Sequence, residues 1–150
     1  MDIFDSDIEQ LFPLLKQNGY KVTSPSDVDY NCVAWAAGHN DKFFWPYPDY
    51  WPKNIPLNNH LASFIKFYES FGYKACNDDR LEKNYEKIAI YVTENTEFVQ
   101  HAARQLNSGK WTSKLGQYKD IEHTLKGLTK SSYGEIAVIM RRRKTIYKTA

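Results

Sequence analysis

The chain has 150 residues with a formal net charge of +2, 42% hydrophobic and 15% aromatic residues. That length suits one domain over residues 1–150 with a core that needs no disulfide or structural metal, and the charge is too small to indicate a nucleic-acid partner. No apolar run approaches the roughly 20 residues of a membrane helix, and the acidic start "MDIFDSDIEQLF" is unlike a secretory leader. With two cysteines and no leader, a reducing cytoplasm is the default expectation.

In chain order, Ser6 with Glu9 three residues on reads as a capping box. Ile8, Leu11, Phe12 and Leu15 share one face of the helix that follows, with Pro13 a kink and "NGY" its end. A short extended piece, "YKVTS", and a turn-rich "PSDVDYN" lead to a short helix that starts at Cys32. Residues 43–52, "FFWPYPDYWP", hold six aromatics and three prolines, so they form an ordered loop. Its rings are expected to roof the core with a partly exposed rim, or to wall a cleft beside Cys32. Leu61, Phe64, Ile65, Tyr68 and Phe71 predict a helix over 57–71 that stops at Gly72. Four strands are then expected, at 87–93, 97–106, 110–116 and 134–142, with a helical turn around "DIEHTLKGL" between the last two. The basic run "RRRK" is read as a solvated chain end.

Two residues carry the candidate chemistry. A cysteine at a helix start is favoured as a thiolate by the backbone N–H groups there, although buried cysteine is also common as inert filling. A nucleophilic Cys32 needs a base, and His101, near the start of a strand, is placed to supply it. If "NSG" at 107–109 is a three-residue hairpin loop with Gly109 at positive φ, Ala103 faces Ser113 and His101 faces Leu115. His101, Ala103, Gln105, Trp111, Ser113 and Leu115 then share one face, with Ser113 diagonal to His101. Asn31 and the backbone N–H of Cys32 are candidate oxyanion donors, and His123, Asp120 or Glu122 compete with Ser113 as the third member. Cys32, Cys76, His101 and His123 lack any close ligand pair, so no metal or other cofactor is expected.

A cysteine at a helix start, a histidine at a strand start and a polar residue on the next strand resemble the order of papain-like cysteine proteases. "SKLG" falls where that family has "NSWG", and Trp35 resembles a displaced tryptophan of its cysteine helix. The blocks "NCVAWAAG", "HAARQ" and "GKWTSKLG" are also similar to an uncharacterised bacterial domain family over residues 28–143, which implies a shared fold and supplies no activity. The resemblance implies a papain-like α+β fold: a helical N-terminal half packed on a four-stranded antiparallel sheet. It also implies cysteine-dependent hydrolysis or acyl transfer at an amide bond of a peptide or protein. Cys32 would be the nucleophile, His101 the base and Ser113 the orienting group. Trp35, Trp45, Tyr47, Trp51 and Trp111 are the candidate substrate- or partner-binding residues. The alternative is a non-catalytic protein-binding domain, of adaptor or toxin-neutralising type, that holds its partner through the aromatic loop.

Overall fold

The computed structural model describes residues 5–24, 32–36, 44–46, 51–115, 120–131 and 133–144. Among the described residues seven strands form one sheet in the order β1-β6-β5-β4-β3-β7-β2, and every neighbouring pair is antiparallel. They are β1 (Tyr20–Ser24), β2 (Lys74–Ala75), β3 (Tyr85–Val92), β4 (Val99–Gln105), β5 (Trp111–Lys114), β6 (Asp120–His123) and β7 (Glu135–Arg143). The helices are short: α1 (Asp5–Leu11), α2 (Leu15–Asn18), α3 (Cys32–Ala36) and α4 (Leu61–Glu69).

This corrects the papain-like expectation. Helices do precede most of the strands, but they build no separate half, and the sheet has seven strands where four were expected. Short helices cover both faces of the sheet. On one face Ile88, Ile90, Ala102 and Met140 meet Val33 and Ala36 of α3 and Phe64, Phe67 and Tyr68 of α4. On the other, Ala89, Tyr91, Ala103, Trp111 and Ile121 meet Ile8, Phe12 and Leu15, with Leu125 and Leu128. A strand covered on both sides loses the apolar–polar alternation of a half-exposed one, which is why "IAIYV" at 88–92 runs apolar without a break.

The hairpin register agrees with the sequence reading. Gln105 pairs with Trp111 and Arg104 with Thr112, Leu106 and Lys110 close the loop with an N–H to carbonyl bond of 2.7 Å, and Gly109 has φ +91°. Two other elements differ. The helix expected over 57–71 begins at Leu61, because residues 59–61 give their backbone groups to the start of β4 instead. Val99 N–H donates to the Asn59 carbonyl and Leu61 N–H to that of Glu97. His60 then caps α4, its ring accepting from Ala62 N–H at 3.3 Å. The expected helical turn at "DIEHTLKGL" is a strand followed by a single 3-10 turn, Lys126–Leu128. Ile121 and His123 alternate with Asp120 and Glu122, and the segment fills the gap between β1 and β5.

Arg141 to Arg143 of the basic run belong to β7, and of the run Arg143 and Lys144 are exposed while Arg141 and Arg142 are half-buried against the sheet. Arg141 bonds Glu82 and lies over the Tyr85 ring. Arg142 reaches Glu86 and the Phe71 carbonyl and lies over Tyr73. Beside them Lys87 is 1% exposed, yet its ammonium is well supplied. It donates to the carbonyls of Asp78 and Arg80 at 2.7 Å each, with the Glu82 carboxylate at 3.4 Å. Gly134 (φ +79°) has no room for a side chain, since a Cβ would lie 1.9 Å from the Val92 carbonyl oxygen. The loop it ends carries Tyr133 against Phe12, ring centres 4.9 Å apart.

Candidate functional site

Polar side chains from three adjacent strands join on the face covered by α1 and α2. His101 on β4, Ser113 on β5 and His123 on β6 are exposed by 0%, 0% and 1%. His101 Nε2 lies 2.8 Å from Ser113 Oγ, which lies 2.7 Å from His123 Nε2, and His123 Nδ1 lies 2.7 Å from the Thr124 carbonyl.

The Thr124 carbonyl can only accept, and that fixes the hydrogens in the neutral state. His123 therefore carries its hydrogen on Nδ1 and accepts from the Ser113 hydroxyl at Nε2. Ser113 has then spent its one hydrogen, so His101 must donate from Nε2. His101 Nδ1 is left as a buried lone pair with no hydrogen-bond partner. The Tyr133 ring covers the imidazole in parallel, with centres 4.1 Å apart and planes within 4°, and Tyr91 tilts against it at 5.5 Å. Burial holds both imidazoles below the usual histidine range. For His101 the neighbouring His123 adds to the effect; for His123 the bond to Thr124 opposes it and the value settles at about 4. Both rings are accordingly neutral at pH 7.

The structure thus brings together His101, Ser113 and His123, and His123 joins through β6 and not through a helical turn. It does not bring Cys32 to them. Cys32 packs with Ala102, Ile88 and Ile90 on one face, whereas His101 shares the opposite face with Tyr91 and Tyr133. Ala102 and His101 are adjacent in β4 and so point to opposite sides. The Cys32 thiol is 7% exposed, and burial raises its pKa to about 11 although backbone amides and the Lys114 charge pull the other way. At neutral pH it is a thiol and not a thiolate. Asp120, on this same strand system, is 2% exposed.

The expected binding residues divide in the same way. Trp51 is core: it stacks on Phe67 at 4.3 Å and donates to the Pro56 carbonyl. Trp45 is half-buried, edge-on to Phe64 at 5.4 Å, and Trp111 is buried on the histidine face. Asn31, Tyr47 and the Trp35 side chain lie outside the described residues.

Two neighbours of the histidines were missed at the level of sequence: Tyr133, whose loop gives no periodic signal, and Thr124, which acts through its backbone. A groove of about 290 Å³ reaches His123 and Thr124 from solvent, lined also by Gly19, Tyr20, Lys21, Lys110 and Glu122. Among the described residues no three His, Cys, Asp or Glu side chains gather so as to hold a metal ion, and no helix is long and apolar enough to cross a membrane.

One antiparallel sheet between short helices, crossed by a neutral imidazole–hydroxyl–imidazole chain, is the class of domain these features define. Within it, the chain belongs to the family described as Domain of unknown function (DUF7689), which matches residues 21–141. No curated protein and no solved structure matches the chain.

Proposed function

We propose that this domain is a non-catalytic protein-binding module that holds a partner through the half-buried rim of its aromatic segment. The observation that carries this reading is the state of Cys32, a sealed thiol across the sheet from the histidine a cysteine enzyme would need. Phe44 and Trp45 add support, being half-buried against α4 with ring area left to meet an extended peptide.

Iodoacetamide labelling of the folded chain tests the proposal. Cys76 is partly exposed and is expected to be alkylated first, with Cys32 following only on unfolding. Rapid labelling of Cys32 below about pH 8, slowed by His101→Ala, would restore the enzyme reading. On the binding side, peptides selected by display on the folded domain are expected to lose about tenfold or more in affinity on Trp45→Ala.

A further inference from the structure

The pairing of β4 with β5 is as short as that of the edge strand β2 with β7, although β4 and β5 lie inside the sheet. It registers two residue pairs, where β3 with β4 registers five and β5 with β6 four. Besides the hairpin, α3 packs on both strands from one side, and the 2.8 Å bond from His101 to Ser113 crosses the seam beyond the last registered pair.

We propose that the His101–Ser113–His123 chain is an acid-sensitive latch, which keeps the β4–β5 seam shut while it is uncharged and lets it part when a proton enters. The hydrogen count makes it so. One added proton on His123 Nε2 turns an acceptor into a donor, so Ser113 Oγ faces two N–H groups and its own hydrogen loses its acceptor. One added proton on His101 Nδ1 instead makes a buried N–H where the lone pair has no hydrogen-bond partner now. Either way one proton from solvent leaves one positive charge in a buried site, with a bond lost or a donor stranded.

The surrounding groups do not offset that charge. Facing His101 are Tyr91 from β3 and Tyr133 from the loop before β7. Beside His123 are Tyr20 of β1, whose hydroxyl donates to Glu9, and the groove residues Lys21, Lys110 and Glu122. Glu122 is already 3.8 Å from the Lys110 ammonium. Cys32 occupies the far face, as do Asp120 and Lys114 by strand alternation. The low proton affinity of both rings agrees with a latch that stays shut at neutral pH.

Cys32 reports on the seam, because α3 holds it against β4 on the face opposite the latch. The experiment uses the full chain with Cys76→Ser, so that one thiol remains, and 4,4′-dithiodipyridine, which reacts with thiols in acid. Rates are divided by those of the urea-unfolded chain at the same pH. The expected result is a normalised rate about tenfold or more higher at about pH 4.5 than at about pH 7, with far-ultraviolet circular dichroism unchanged. In His123→Gln, whose amide does not titrate, only the route through His101 is left and the rise is expected to be several-fold smaller. A flat wild-type profile would overturn the proposal, and so would an equal rise in the variant. Should His123→Gln fail to fold, ¹⁵N shifts of the wild-type imidazoles decide: their titration midpoint must coincide with that of the Cys32 rate, and a mismatch overturns the latch.

Discussion

Ser113 owns one hydrogen and serves two imidazoles, and this shortage gives the site its order. Each nitrogen has an assigned role: His123 is protonated on Nδ1 and His101 on Nε2. Long-range ¹H–¹⁵N spectra at neutral pH are expected to show these two different tautomers, and two identical ones would refute the assignment. Ser113→Ala removes the shared hydroxyl and strands a donor on one ring and an acceptor on the other. The expected loss is about 3 kcal/mol in urea unfolding, since each buried polar group left unsatisfied costs roughly 1–3 kcal/mol. Some of this was legible in advance. The Asn-Ser-Gly loop sets the register and so puts Ser113 next to His101. The separation of Cys32 from the histidines has an equally local cause. Spacing along the chain says that a cysteine and a histidine can meet, but the parity of β4 turns His101 to the face opposite the one on which α3 carries Cys32.

Among the elements, α4 illustrates how packing sets helix limits. Its apolar spacing runs on from Leu57, yet the helix starts four residues later because the chain before it is paired to the residues that lead into β4. Phe67 is the centre of its buried face, touching Phe44, Trp51, Tyr68 and Phe71. Phe67→Ala is expected to cost about 3–5 kcal/mol by chemical denaturation. Phe98, bridged to His60 yet 52% exposed, is the control, and Phe98→Ala is expected to change stability by no more than about 0.5 kcal/mol. The strands were legible where β-branched and aromatic residues run together, as in β3 and β7. The extended piece "YKVTS" is β1, whereas β2 and β6, two and four residues long, gave no such signal and take their conformation from their neighbours. A segment so short has too few alternating positions to distinguish a strand from a turn.

For the molecule as a whole, the buried neutral histidines make stability depend on pH. His123 has its folded-state pKa depressed to about 4, whereas an unfolded chain has the ordinary value near 6.5. Between these values the unfolded chain binds a proton that the native one refuses, so stability rises with pH through this window. It is complete above about pH 6.5 and falls as pH drops toward about 4, by on the order of 3 kcal/mol from His123 alone. His101 shifts in the same direction and adds to the loss. Urea titrations at a series of pH values check the sign, and a chain more stable at pH 4.5 than at pH 7 would contradict it.

The mooring of Lys87 has a consequence of its own. The segment from Asp78 to Glu82 turns oxygen atoms toward a cation, much as a calcium-binding loop does, but this cation is covalently tethered to the middle of a strand. It can be neither chelated nor diluted away. The segment's shape therefore answers to the integrity of the sheet beneath it and not to the ionic composition of the medium.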